Sequence, residues 1–168
     1  IPKSMLTADA YDIINDKEID IVVELVGGTG ISKTFILDAI KNGKHVVTAN
    51  KALLAEFGEE IFAACEKYKR IIGFEASVGG VIPIIRTIKE SLSGDKIESA
   101  YGIINGTCNY ILTRMSEEGK EFEDVLKEAQ KMGYAEANPT LDVDGIDAAH
   151  KLAILTALSF GVKIDFND

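Results

Sequence analysis

Strand-like and helix-like segments alternate through the N-terminal half of the chain, and this alternation is the strongest constraint on the fold. Three short runs rich in Val and Ile, at 20–26, 44–49 and 70–76, predict buried strands. Helices are predicted between them at 31–42 and 53–68. Strand–helix–strand units of this kind are right-handed and place their strands side by side in parallel. The pattern therefore predicts an α/β protein built on a parallel sheet.

The pattern changes after Pro83. A helix at 84–92 and a strand at 97–104 are expected to begin a different layer. Further helices are predicted over 109–117, over 122–132 and from 145 onwards, and a short helix over 8–18 precedes the first strand. We therefore predict a partial nucleotide-binding domain at 1–82 and a partial substrate-binding and dimerisation domain at 83–168. The expected architecture is the C-terminal half of a Rossmann-like parallel sheet joined to part of an α+β domain.

The glycine-rich turn typical of dinucleotide-binding folds is incomplete. Gly28 and Gly30 follow the first predicted strand, but Lys33 stands where the G-x-G-x-x-G fingerprint requires its last glycine. That fingerprint belongs to the first strand–helix–strand unit, whose helix N-terminus binds pyrophosphate. We therefore expect the chain to begin after that unit.

Polar and glycine-rich segments nevertheless follow each predicted strand. Gly27–Gly30, Asn50-Lys51 and Glu75–Gly80 all lie where strands end. Ligands bind parallel sheets outside the carboxyl ends of the strands. We expect this edge of the sheet to carry the binding site.

Composition excludes several kinds of partner. The 168 residues carry a formal net charge of −9 and a pI of about 4.8, which argues against nucleic acid and anionic membranes. No apolar run approaches the roughly 20 residues of a membrane helix, and no signal peptide is visible. Cys65 and Cys108 lack C-x-x-C spacing, so neither a disulfide scaffold nor a zinc site is indicated. We expect a cytoplasmic protein.

The C-terminal part of the sequence contains acidic side chains and a lysine at spacings that suit one polar site. Asp147 and Lys151 are four residues apart in a predicted helix and share one face. Glu136 precedes them in a loop, and loops on rigid scaffolds often carry binding groups. Carboxylates would hold the ammonium of a small substrate, and the lysine would handle a proton on oxygen.

Each of these residues also has an ordinary structural interpretation. Asp147 and Lys151 form a pair of the kind found on many exposed helices. Asp142 fits either the N-cap of the following helix or a supporting role in the site. Lys51 alone would be a solvated charge after a strand. Glu75 in an apolar strand needs a partner, which either a cation or a neighbouring lysine would supply.

Four blocks of the sequence resemble homoserine dehydrogenases. In chain order they are 47–51 (VTANK), 75–83 (EASVGGVIP), 102–112 (GIINGTCNYIL) and 133–151, which contains GYAEANP, Asp142, Gly145, Asp147 and Lys151. Nearly the whole chain is covered, in the family's order. The resemblance implies an internal fragment of an NAD(P)-dependent enzyme that interconverts L-homoserine and L-aspartate 4-semialdehyde, a step in threonine and methionine biosynthesis.

The resemblance also implies roles for single residues. Lys151 is similar to the family's proton-donating lysine, and Lys51 to a lysine near the nicotinamide and the reacting oxygen. Glu136 and Asp147 match the homoserine-binding carboxylates. Gly133 matches a backbone contact to the cofactor, and Gly27 and Gly28 are further candidates for cofactor binding.

A monovalent cation, usually sodium, is implied as well. Glu75 together with the carbonyls of Val78, Gly80 and Ile82 resembles the family's cation site. Such an all-oxygen set suits a hard cation. The resemblance further implies a homodimer, which is the commonest closed assembly of identical chains.

Two other functions stay open at this point. One is a different dehydrogenase that acts on a small amino acid or semialdehyde. The other is a fragment without hydride transfer, which only binds a ligand or dimerises. The incomplete glycine fingerprint favours the second for the isolated chain, because a chain without the pyrophosphate loop should bind NAD(P) poorly.

Overall fold

The computed structural model describes residues 1–163 and residue 166. Three parallel strands form one sheet in the order β1 (Ile21–Glu24), β2 (His45–Thr48) and β3 (Ile72–Gly73). Val46 of the central strand pairs with Val22 on one side and with Ile72 on the other. The α/β class predicted from the alternating pattern is confirmed.

Eight helices accompany the sheet in the described part of the chain. They are α1 (Ala10–Ile14), α2 (Ile31–Lys41), α3 (Lys51–Tyr68), α4 (Ile84–Arg86), α5 (Gly106–Glu118), α6 (Phe122–Lys131), α7 (Thr140–Val143) and α8 (Ile146–Phe160). A π-helical turn, Thr87–Ser91, continues α4. Within the described ranges, no helix has both the length and the apolar character needed to cross a membrane.

Two of the longer helices begin at asparagine caps. The Asn50 side chain accepts a hydrogen bond from the Leu53 amide at the start of α3. The Asn105 side chain does the same for the Cys108 amide at the start of α5. Each cap satisfies a backbone donor that has no partner inside its helix.

One apolar core joins the sheet to helices from both halves of the chain. Val46 of β2 and Leu53 of α3 are almost fully buried in it, and so are Ile85 of α4 and Ile154 of α8. Burying a side chain of this size stabilises the fold by about 1.5–3 kcal/mol. This packing sets α8 against α3. A smaller cluster, centred on Ile111, holds α5 and α6 together.

The strand predicted at 97–104 is wrong. These residues adopt no regular structure, and Tyr101 and Ile103 are largely exposed. A strand is stable only when its backbone groups pair with a neighbour. No strand in the described part of the chain lies beside this segment.

Other boundaries also differ from prediction. β3 ends at Gly73 because the Ser77 amide and hydroxyl both donate to the Phe74 carbonyl and close a 3-10 turn at Glu75–Ser77. The helix predicted over 8–18 is limited to Ala10–Ile14.

Candidate active site

Two lysines meet one carboxylate where α3 and α8 approach each other. Asp147 Oδ2 lies 2.6 Å from the Lys151 ammonium, and Asp147 Oδ1 lies 3.2 Å from the Lys51 ammonium. Asp147 is buried, whereas the Lys51 side chain is 37% exposed. A buried carboxylate therefore binds both lysines, and Lys51 is the more exposed partner.

Local structure explains why these side chains point to one place. Lys51 is the first residue of α3, directly after the carboxyl end of β2. Asp147 lies in the first turn of α8, which Gly145 starts with a positive φ of 79° that favours glycine. An acidic residue in a first turn is stabilised by the helix dipole. Lys151 follows one turn later on the same face.

The electrostatic environment keeps Asp147 ionised. Burial acts to raise the pKa of its carboxyl group. Hydrogen bonds from Lys151, Asn105 and Lys51 outweigh burial, so that the pKa lies below its usual value. The site thus has a permanent negative charge between two ammonium groups near neutral pH.

The backbone segment before α5 completes this arrangement. The Ile104 carbonyl accepts a hydrogen bond of 2.9 Å from the Lys151 ammonium. The Asn105 amide nitrogen donates to Asp147 Oδ2 at 2.9 Å and to Asp142 Oδ1 at 2.8 Å. Asp142 is therefore linked to the site, and it does not cap α8, whose N-cap is Gly145.

Sequence reasoning missed Asn105. Its position before Gly106 and a helix is typical of an N-cap. That signal accounts for the cap oxygen, but nothing local indicates that the amide nitrogen reaches two carboxylates further along the chain.

A second set of hydrogen-bonded polar residues lies at the carboxyl ends of β1 and β2. Glu24 is buried and accepts hydrogen bonds from the Thr48 hydroxyl at 2.7 Å and from the Gly27 amide at 2.9 Å. Burial acts to raise the Glu24 pKa, but these hydrogen bonds outweigh it and lower the pKa. Asn50 donates to the Gly28 carbonyl at 2.7 Å. The glycine turn is thereby held beside Lys51.

An open cleft of about 940 Å³ borders the lysines. Lys51 and Lys151 line it together with Asn105, while Asp147 is not part of its wall. The turn at 76–80 and apolar residues of α8 also line the cleft. The volume suits a small substrate beside part of a larger cofactor.

Two predicted residues are not among the hydrogen-bond or ion-pair partners of the lysines in the described part of the chain. Glu136 is exposed, and within the described residues its carboxylate makes no hydrogen bond or ion pair. Gly133 has a φ of 79° and ends the turn after α6. The next residue's carbonyl accepts from the Thr107 hydroxyl at 2.8 Å, which places this turn beside the start of α5.

At the predicted cation site, some of the proposed oxygen ligands already accept hydrogen bonds from the backbone. Both Glu75 carboxylate oxygens accept backbone amides, from Ile85 at 2.8 Å and from Arg86 at 2.9 Å. The Ile82 carbonyl accepts from the Ile84 amide. Gly79 and Gly80 both have positive φ and form a tight turn. In the described part of the chain, the Val78 and Gly80 carbonyls accept no such hydrogen bond.

Two family models match consecutive parts of the chain. A model described as "Homoserine dehydrogenase, NAD binding domain" matches residues 1–75, and one described as "Homoserine dehydrogenase" matches residues 83–168. The second alone covers just over half of the sequence.

Individual relatives agree with the family models. A homoserine dehydrogenase of Neisseria gonorrhoeae is 54% identical over 99% of this chain, which spans 38% of that relative's length. A crystal structure of a homoserine dehydrogenase from Thiobacillus denitrificans superposes with a TM-score of 0.92 at 54% identity, over 96% of this chain and 37% of that one. A hyperthermophilic archaeal homoserine dehydrogenase in complex with NADPH gives a TM-score of 0.85 at 30% identity, over 94% of this chain and 49% of that one. The chain, with its two lysines on one buried carboxylate, belongs to the homoserine dehydrogenase family.

Proposed function

We propose that this chain supplies the proton-transfer and substrate-binding side of an NAD(P)-dependent reaction that interconverts L-homoserine and L-aspartate 4-semialdehyde. Because the chain spans less than two-fifths of its curated relatives, the proposal concerns a full-length enzyme that carries it. The single observation that carries the proposal is the pair of lysines held on Asp147 at the edge of the cleft.

Lys151 is suited to move a proton at the substrate oxygen. An ammonium has three N–H donors. Among the described residues, Lys151 uses one on Asp147 and one on the Ile104 carbonyl. The third is available to the cleft, which Lys151 lines. In reduction the Lys151 ammonium donates a proton to the carbonyl oxygen and becomes a neutral amine. In oxidation the neutral amine takes the proton of the C4 hydroxyl and becomes the ammonium again.

Lys51 adds a second positive charge beside the same oxygen. Its ammonium has one partner in the described part of the chain, Asp147 Oδ1. Negative charge that develops on the C4 oxygen is stabilised by preorganised cations in such a site. Lys51 therefore assists Lys151 and lies where the nicotinamide is expected.

The three acidic residues are assigned to the substrate. Glu136, which is exposed at the loop after α6, would bind the homoserine ammonium. Asp142 is linked to Asp147 through Asn105, and Asp147 has both oxygens engaged by the protein's own donors. Its contact with substrate would be weaker than that of Glu136, and its main contribution is to hold the lysines.

Three glycines and Lys51 are suited to bind a nicotinamide dinucleotide. At Gly27, Gly28 and Gly133, no atom lies within 4 Å of the place a Cβ would occupy, so a ligand can approach the backbone closely. These glycines and Lys51 would hold the cofactor. When bound, the cofactor accepts or donates the hydride at C4.

We also propose that the chain binds a monovalent cation, most simply sodium, near Glu75. The Val78 and Gly80 carbonyls would contribute oxygen ligands, with the Ile82 carbonyl and Glu75 alongside. Glu75 also accepts the Ile85 and Arg86 amides of α4, so its carboxylate would bind the helix and the cation together. An increase in the melting temperature in sodium chloride over choline chloride, at equal ionic strength, would support the site.

Homodimerisation is proposed from the family resemblance. The exposed segment 97–104 carries Tyr101 and Ile103, which a partner chain would cover. Sedimentation equilibrium of the full-length enzyme tests this, and a monomer at micromolar concentration would contradict it.

The test of the proposed function is homoserine-dependent reduction of NAD and NADP by the full-length enzyme, followed by nicotinamide absorbance. We expect turnover with homoserine and much less with serine or threonine. A folded enzyme that reduces neither cofactor with homoserine would overturn the proposal and favour another small semialdehyde as substrate.

A further inference from the structure

Asn105 is a buried amide with every polar atom engaged. It is 8% exposed, and its Oδ1 accepts the Cys108 amide at 2.8 Å. Its Nδ2 donates one hydrogen to Asp142 and the other to Asp147, at 2.8 and 2.9 Å. Because its oxygen and both of its N–H groups form hydrogen bonds, the Asn105 amide has a single allowed orientation.

The chemistry of the partners determines that orientation. The Cys108 amide can only donate, and ionised carboxylates can only accept. A flipped amide would turn its oxygen towards Asp142 and Asp147 and its nitrogen towards an N–H group, so that all three hydrogen bonds would be lost. The helix cap at the start of α5 thus fixes the direction in which the NH2 group points.

The fixed Asn105 NH2 group determines how the Asp147 carboxylate binds Lys51 and Lys151. Asp147 Oδ2 accepts from Asn105 and from Lys151, and Oδ1 lies against Lys51. Without the amide, only the two lysine side chains would hold the carboxylate, which could then turn about its Cβ–Cγ bond together with them and bind them in other geometries. The neighbouring Ile104 carbonyl holds the Lys151 ammonium from the same stretch of backbone.

We propose that Asn105 is a positioning residue: its amide bridges Asp142 and Asp147 and thereby sets the places of the Lys51 and Lys151 ammonium groups at the cleft. The kinetic part of this inference rests on the proposed function. The structural part, the orientation and ionisation of Asp147, does not depend on it.

Asp147 responds to groups from several elements. Those that face it are Lys51 from α3, Cys108 from α5, Asp142 from α7, and Lys151 and His150 from α8. Replacing Asn105 by aspartate adds a further carboxylate to this set, whereas replacing it by serine adds no charge.

Two substitutions separate positioning from helix capping. Asn105→Asp and Asn105→Ser both keep a side-chain oxygen that is well suited to cap α5, and both remove the bridging NH2 group. For each variant, kcat and KM of the full-length enzyme are measured across pH, and circular dichroism checks the helix content. The Asp147 carboxyl is titrated by carbon-13 NMR in the 168-residue chain.

A positioning role makes both folded variants lose about 10- to 100-fold in kcat, because small displacements of reacting groups cost this much. Asn105→Asp also raises the Asp147 pKa and moves the acidic limb of the pH profile upwards, whereas Asn105→Ser lacks the added repulsion and changes the limb less. Wild-type kcat and an unchanged Asp147 pKa in either variant would overturn the proposal and leave Asn105 as a cap alone. If the wild-type enzyme does not oxidise homoserine, the proposed function fails, and the NMR titration still decides whether Asn105 positions Asp147.

Discussion

The Lys51 ammonium lies 3.2 Å from the Asp147 carboxylate, and this ion pair joins the first turn of α3 to the first turn of α8. Lys51 falls in the part of the chain matched by the NAD-binding model, and Asp147 in the part matched by the second model. The pair therefore brings the edge of the sheet that is proposed to hold the cofactor to the residues that are proposed to bind substrate.

Replacing Lys151 by alanine should lower kcat by about 10²- to 10⁴-fold, the range that general acid–base catalysis contributes. The helix should persist, because alanine favours helices. Steady-state kinetics of the full-length enzyme and circular dichroism provide the measurement. Lys127→Ala, at an exposed position on α6, is the matched control and should retain wild-type kcat. Near-normal turnover of Lys151→Ala would exclude a proton-transfer role.

Acid should lower the free energy of unfolding through protonation of Asp147. Its folded-state pKa is lowered, so the unfolded chain takes up a proton near pH 4 while the folded carboxylate stays ionised. This contribution to stability is present above about pH 4 and is lost as pH falls through the lower, folded-state pKa. We expect Asp147→Asn to show a shallower fall in unfolding free energy as pH falls below about 4. Urea unfolding at several pH values measures how steeply the unfolding free energy of the wild-type chain and of Asp147→Asn depends on pH. Equal slopes for the two would contradict the lowered pKa of Asp147.

Removing the Thr48 hydroxyl should destabilise the glycine turn. Thr48→Val deletes a hydrogen bond to the buried Glu24 carboxylate, which should cost about 1.5–3 kcal/mol in unfolding free energy. Thr48→Ser keeps the hydroxyl and serves as the control, with a smaller loss. Urea unfolding at pH 7 compares the two. A Thr48→Val variant as stable as Thr48→Ser would show that this hydrogen bond contributes little.

Two glycines should respond to alanine with opposite sign. Gly133 has a φ of 79° with no atom near the Cβ position, so Gly133→Ala introduces backbone strain alone, worth about 1–2 kcal/mol. Gly106 lies in the first turn of α5 with open space around it, and Gly106→Ala should stabilise the chain by about 0.4–1 kcal/mol. Thermal unfolding of both variants is the measurement. Destabilisation by Gly106→Ala as well would contradict the open space around Gly106.

Local patterns in the sequence were sufficient for the parallel sheet and for part of the site. Strand and helix periods are set by neighbouring residues, so the alternation before Tyr68 and the shared face of Asp147 and Lys151 follow from spacing. The position of Lys51 at the end of β2 follows from the same pattern, since Lys51 comes directly after a predicted strand. The assignment of Asp142 could not be resolved this way, because a cap and a site residue have the same local sequence.

Tertiary structure alone decided which of these groups meet. Lys51 reaches Asp147 only because apolar residues of α3 and α8 pack into one core. Asn105 reaches Asp142 and Asp147 because α5 contacts α7, and α7 contacts α8. It also decided that 97–104 is not a strand, since strand formation requires a neighbour that no local pattern specifies. Periodicity along the chain determines which face of an element is apolar, whereas contacts between distant residues depend on how those faces are buried together.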